Sequence, residues 1–253
     1  LKTLELVHRT VEVDMRAPVV AVIPRGANYK FMAAEAYWII NGDNSLAGIV
    51  PYNSVMAKFS DDGKTLAGAY GVPLSQQIGY VINKLEEDHD TRQAVMTFWR
   101  PNPLPSKDIP CTVALDFKIR DGKLNLHVFM RSSDQWLGLP YDIFSFSMIA
   151  YAVMSCLNSE HRPWSAPTVK PGTLYLTAAS SHIYEAHWSP AKNIVSDYHN
   201  LAGPKWRAAN PHSEWLMPDD MWNGSAESRD VWLGRLAGFR DAKQPFMERF
   251  NVG

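Results

Sequence analysis

The sequence predicts an α+β fold in a single domain. Strand-like and helix-like stretches are mixed without regular βαβ alternation. Two strand-like runs, residues 113–119, which alternate imperfectly, and 123–130, flank Asp121-Gly122, which marks a hairpin. The longest apolar segment, residues 141–157, lacks Gly and Pro and predicts a buried central helix. A length of 253 residues suits one large domain. No internal repeat, low-complexity tract or linker divides it.

The remaining elements follow in chain order. Residues 11–23 are rich in β-branched side chains and predict a strand interrupted at Pro18. Residues 28–40 place apolar side chains at helical spacing and end at Asn41-Gly42, a helix stop. Gly-containing turns are expected at Asp62-Gly63 and Tyr70-Gly71. A second helix over 74–87 carries Ile78, Val81, Ile82 and Leu85 on one face. A short strand over 94–99 leads into a loop, 101–110, with four prolines. Residues 173–178 predict a strand, 182–187 the opening of a helix, and 227–239 a last helix in a Trp- and Pro-rich region.

Apolar residues make up 46% of the chain and charged residues 20%, enough for a sizeable core. Lys plus Arg is 25 against 26 for Asp plus Glu, so charge gives no general pull toward nucleic acid or membrane. No apolar run approaches the roughly 20 residues of a membrane span. The two cysteines, Cys111 and Cys156, cannot form a disulfide scaffold, and a reducing cytoplasm is the expected compartment. The chain opens at Leu1 without Met, so residues upstream are expected. No metal centre is expected. Nine Trp and ten Tyr serve mainly as core and interface filling.

Cys111 ends the proline-rich loop, where partial exposure suits a nucleophile, although a lone Cys is more often a small core residue. Cys156 lies inside the apolar helix and reads as core. The odds for Cys111 change with residues 130–143, which crowd Arg131, Ser132, Ser133, Asp134, Gly138 and Asp142 around a Gly-Leu-Pro turn. Arg131 has the charge to favour a thiolate and to hold a phosphate with Ser132. Asp142, at the start of an apolar helix, either caps its N-terminus or reads a ligand.

These motifs resemble the thymidylate synthase family. Pro110-Cys111 resembles its nucleophile motif, and residues 131–143 its Arg-Ser-x-Asp-x-x-Leu-Gly-Leu-Pro-aromatic-Asn-Ile motif. His182 and Tyr184 resemble its His-x-Tyr pair. Glu35, Trp38, Gly42 and Asp43 resemble its Glu-x-x-Trp and Gly-Asp turn, and Asp90-Thr91-Arg92-Gln93 resembles in part its Asp-Ser-Arg-Arg segment. Order and approximate spacing agree over residues 20–190. The resemblance implies a mixed β-sheet packed with helices, a homodimer through the sheet, and 5,10-methylenetetrahydrofolate as the one-carbon source.

Two departures bear on specificity. Asp142 stands where the synthases have Asn, and Thr112 stands where they have His. Both changes resemble the deoxycytidylate and cytidylate 5-hydroxymethylase branch, known from phage DNA modification and nucleoside-antibiotic pathways. An Asn amide satisfies uracil's acceptor O4 and donor N3. An ionised Asp accepts from the cytosine amine and, once protonated, donates to N3. Uracil against an ionised Asp142 places O4 opposite a carboxylate oxygen.

The resemblance further implies a role for each residue. Cys111 adds to pyrimidine C6, Asp142 stabilises charge at N3, and Glu35 manages protons and water near C5. Arg131 and Ser132 bind the 5′-phosphate, with Arg92 supplied by the partner subunit. His182 and Tyr184 hold the sugar hydroxyl. Asp134 and Gly138 line the base and folate pocket. Tyr70 joins the water network, and Tyr52 is a candidate for the folate site. Gln93 removes one charge that the family has, and the family's phosphate-loop Arg is expected before Leu1. The expected substrate is dCMP or CMP, with no nucleic acid and no membrane as partners. Three alternatives stay open: a dCMP methyltransferase, a divergent dUMP thymidylate synthase, and a non-catalytic nucleotide-binding or RNA-binding regulator.

Overall fold

The computed structural model describes residues 1–20, 22–159 and 168–200, together with 234, 236–238, 240 and 241. One five-stranded sheet runs in the order β1-β5-β4-β3-β2. Its strands are β1 (Thr3–Asp14), β2 (Val95–Thr97), β3 (Thr112–Arg120), β4 (Lys123–Asp134) and β5 (Lys170–Tyr184). β4 and β5 are parallel and all other pairs antiparallel. The expected α+β class, a mixed sheet packed with helices, is therefore present.

The β3–β4 hairpin turns at Asp121 and Gly122, both at positive φ (52° and 68°). That is the backbone a tight primed turn requires, and an Asp-Gly pair tolerates it. Alternation places Leu115, Phe117, Ile119, Leu124, Leu126 and Val128 on the buried face.

The helices are α1 (Tyr29–Ile40), α2 (Leu46–Ile49), α3 (Gly71–Glu87), α4 (Leu139–Leu157) and α5 (Trp188–Asn200). α1 begins where Asn28 Oδ1 accepts from Phe31 N at 3.0 Å, and it ends at Asn41 before Gly42 at φ 75°. α4 links the parallel strands β4 and β5, packing against both and against α1. It is apolar and long enough, at 19 residues, to match a membrane span by composition. Almost every side chain on it is buried in the core, which accounts for that composition.

Three expectations are corrected. The first strand lies at Thr3–Asp14, not 11–23. Its first eight residues are exposed, so apolar content does not reveal them; pairing with β5 does. His182 and Tyr184 do not open a helix. They end β5, because His182 is paired on both sides, with Glu5 and with Asp134, and a short 3₁₀ turn at Glu185–His187 follows. β5 is also much longer than 173–178, since both neighbouring strands extend its ladder. The helix expected over 227–239 falls largely outside the described residues.

Candidate active site

A cavity of about 160 Å³ opens between the N-terminal turn of α4, the middle of α1 and the loop before β3. Glu35, Tyr70, Cys111 and Asp142 all line it, together with Trp38, Met56, Asp108 and Ser145. A second cavity of about 470 Å³ shares the wall formed by residues 68–70 and 108–110.

Each side chain is placed by local structure. Glu35 and Trp38 lie one helical turn apart on α1, and Trp38 Nε1 donates to Ser45 O at 3.0 Å. Asp142 and Ser145 have the same spacing in the first turns of α4. Asp142 does not cap that helix: the N-cap is Gly138, and no side-chain bond closes it. It lines the cavity instead.

Tyr70 is held by packing. Its ring stacks on Phe146 at 6.0 Å and meets Phe98 edge-on at 5.3 Å. The next residue, Gly71, lies against the backbone of the Gly42-Asp43 turn, so close that a Cβ would collide with Asp43 N and O. The turn is itself fixed by Asp43 Oδ1 accepting from Ser45 N at 2.8 Å. The Gly-Asp turn singled out in the sequence thus sets the position of Tyr70.

Arg131 stands behind the nucleophile candidate. Its Nε donates to Pro110 O at 3.0 Å and its Nη2 to Ile109 O at 3.0 Å. Trp99 lies under the guanidinium, 5.8 Å from it. Three of the sequence's candidates form a separate cluster at the ends of β4 and β5. Ser132 Oγ is 3.4 Å from His182 Nδ1, and His182 meets Tyr184 edge-on at 5.2 Å.

The electrostatics are dominated by burial. Burial, reinforced by the Asp142 charge, pushes the Glu35 carboxyl up to about 8. Burial, reinforced by Asp134, pushes Asp142 up to about 7. Burial also raises the Cys111 thiol; Arg131 opposes this, while Asp142 and Asp108 add to it. Tyr70 is raised by burial and then by Asp142, so it stays a neutral phenol. Two buried hydroxyls, Thr112 Oγ1 and Ser145 Oγ, make no hydrogen bond of ordinary geometry, although they lie beside Tyr70 and Glu35 respectively. Such groups are ready to accept a ligand or water partner.

Other candidates lie elsewhere. Asp134 lines neither cavity: its Oδ1 accepts from Trp136 N and Leu137 N at 2.8 and 2.9 Å and shapes the turn into α4. Gly138 lies under Asp142, where a Cβ would come within 3.3 Å of Oδ2. Arg92 is exposed on the turn before β2. Tyr52 is outside the cavity, and its hydroxyl donates to Asp241 Oδ1 at 3.1 Å.

Sequence reasoning missed Ser145, Met56 and Asp108 as cavity residues. Ser145 was open to discovery from its helical spacing to Asp142. Arg25 was also missed. It donates from Nε to Trp136 O at 3.0 Å and lies 5.1 Å from the Tyr141 ring, bracing the start of α4. Among the described residues, no cluster of His, Cys, Asp and Glu is arranged to hold a metal.

Comparison with known proteins decides the family. The sequence model of thymidylate synthase matches residues 1–214. The chain belongs to the thymidylate synthase family. It is 33% identical over 182 residues to a protein named deoxyuridylate hydroxymethyltransferase from Bacillus phage SP01, covering 63% of this chain and 44% of that protein. It is 35% identical over 121 residues to a putative thymidylate synthase of Methanosarcina barkeri, covering 47% of this chain and 51% of that protein. The chain thus spans about half the length of these relatives.

Proposed function

We propose that this thymidylate synthase family member is a pyrimidine nucleotide C5 hydroxymethyltransferase acting on dCMP, with CMP as a further candidate. The observation that carries the reading is one cavity lined by Cys111, Glu35 and Asp142, with a carboxyl where the synthases have an amide. Cys111 adds to C6 and makes C5 nucleophilic. Asp142 in its neutral form donates to N3 and accepts from the amine, so it supplies the proton for the charge that builds at N3. Its pKa near 7 makes both forms available at neutral pH.

The residues present fit 5,10-methylenetetrahydrofolate. The apolar wall of Trp38, Met56 and Leu66 beside Glu35 suits a flat ring, and the orphan Ser145 hydroxyl offers a polar partner. When bound, this group supplies the one-carbon unit. Glu35, protonated at neutral pH, serves as the proton donor and acceptor near C5 and orients water there. In this reading the Thr112 and Tyr70 hydroxyls complete the water site. The 5′-phosphate falls to Arg131 and Ser132, and the sugar to His182 and Tyr184. Arg92, pointing into solvent, reaches the phosphate of a partner in a homodimer that pairs the open sheet faces.

A second reading is favoured by the phage relative, which is named for deoxyuridylate. A neutral carboxyl offers one donor and one acceptor, and by carrying its proton on the other oxygen it also pairs with uracil. Incubation with dCMP, CMP or dUMP plus methylenetetrahydrofolate, with product masses read out, separates these readings. Hydroxymethylated dCMP or CMP supports the proposal. A methylated product identifies a methyltransferase, product from dUMP alone establishes the second reading, and nucleotide binding without product identifies a non-catalytic protein.

A further inference from the structure

Asp108 lines both cavities, three residues before Cys111. Its Oδ2 accepts from Gly68 N at 2.7 Å. The contact is close enough that a Cβ on Gly68 would meet the Asp108 carbonyl and carboxylate oxygens at 2.8 Å, so only glycine fits. A second tie runs in parallel. Asp61 Oδ2 accepts from Ser106 Oγ at 2.5 Å, Asp61 Oδ1 accepts from Lys107 N at 3.1 Å, and Ser106 Oγ accepts from Asp108 N at 3.0 Å. One loop leads to Tyr70 and the other to Cys111. Tyr70 stands at the N-cap of α3 and Cys111 just before β3, and these ties join the two loops directly beside the cavity.

We propose that Asp108 is a positioning residue that latches the Tyr70 loop to the Cys111 loop and so sets the thiol against its neighbours in the cavity. The inference rests on Cys111 being the nucleophile. A half-buried carboxylate beside the reaction cavity is costly unless it is bonded, and the Gly68 amide supplies that bond. Its charge has a second consequence. The groups facing Cys111 are Arg131 from β4, Asp142 from α4, Glu35 from α1, Tyr70 and Asp108 itself. Of these only Arg131 favours the thiolate, and Asp108 works against it. The latch therefore trades thiol reactivity for geometry.

The test compares Asp108→Ala, which loses the acceptor, with Asp108→Asn, which keeps an acceptor and drops the charge. Exchange of the Gly68 amide is followed by NMR, Cys111 alkylation by iodoacetamide is followed against pH, and kcat is measured separately from nucleotide affinity. Asp108→Ala is expected to expose the Gly68 amide and to lower kcat at least about tenfold with nucleotide affinity little changed. Asp108→Asn should keep the amide protected, recover most of the lost kcat, and move the alkylation midpoint to lower pH. Gly68→Ala, which displaces Asp108 from the other side, should reproduce the Asp108→Ala result. Unchanged Gly68 exchange in Asp108→Ala, or equal losses in the Ala and Asn variants, overturns the proposal. Amide exchange and alkylation need no substrate. Failure of the nucleophile assignment would instead show as turnover by Cys111→Ser with the Asp108 effects on Gly68 intact.

Discussion

Arg131 and Cys111 are joined backbone to backbone: the Arg131 N–H donates to the Cys111 carbonyl at 2.9 Å. The guanidinium of the same residue holds the two preceding carbonyls, of Pro110 and Ile109. A positive charge acting on the thiol is thus fixed relative to it by three hydrogen bonds, and it offsets part of the burial that disfavours a thiolate. Removing it by Arg131→Met should slow alkylation of Cys111 at neutral pH several-fold. Iodoacetamide labelling read by peptide mass checks this, and an unchanged rate would show that Arg131 does not tune the thiol.

Cys111→Ser should abolish turnover while leaving nucleotide binding largely intact, because a hydroxyl keeps the shape but is far less ionised at neutral pH. Cys156→Ser, in the core helix, should retain activity. Calorimetric binding of dCMP beside a product assay separates the two, and the reverse pattern would remove Cys111 from the mechanism.

Glu35 predicts a dependence of stability on pH. Its folded pKa, about 8, lies above the ordinary glutamate value of 4.5, so the folded state holds its proton more tightly than the unfolded chain. The stability this confers is full below pH 4.5 and is lost as pH rises toward 8. Glu35 keeps some accessible surface where it lines the cavity, which moderates the effect to an expected loss on the order of 1–3 kcal/mol. Glu35→Gln should flatten this part of the profile and melt higher than wild type above pH 8. Denaturant unfolding across this range is the check, and parallel profiles for the two proteins would show that Glu35 ionises freely.

The proposed homodimer with a shared phosphate site predicts complementation. Mixed dimers of Arg92→Ala and Cys111→Ser subunits should regain a fraction of activity, since one site then receives both intact groups. No recovery despite demonstrated subunit exchange would place Arg92 within its own chain's site, or outside any site.

How much of this was legible in the sequence depends on what each residue answers to. α4 and the β3–β4 hairpin were readable because apolar spacing and an Asp-Gly turn are local signals. β1 was misplaced because its exposed half is specified only by pairing with β5, a contact distant in sequence. Cys111, Glu35 and Asp142 are found through motifs, and they converge on one cavity with Tyr70. Asp108 and Ser145 belong to no motif, and only the fold reveals what they face. Asp134 shows the opposite case: its motif position suggested the pocket, whereas its carboxylate is engaged by backbone amides of a turn.

Asp142 is proposed to read the base. Asp142→Asn replaces a carboxyl that can donate to N3 with an amide that, oriented as in the synthases, donates toward O4 and accepts from N3–H. Unsatisfied groups in a buried site cost about 1–3 kcal/mol each, so the dCMP-to-dUMP ratio of kcat/KM should move toward dUMP by at least about tenfold. Activity on dCMP should fall more than its affinity, because charge at N3 grows only as Cys111 adds to C6. The direct measurement is that ratio, for wild type and Asp142→Asn under one set of conditions. A shift toward dUMP is the predicted result; an unchanged ratio would show that the Asp142 carboxyl does not set the base preference and would contradict the cytosine assignment.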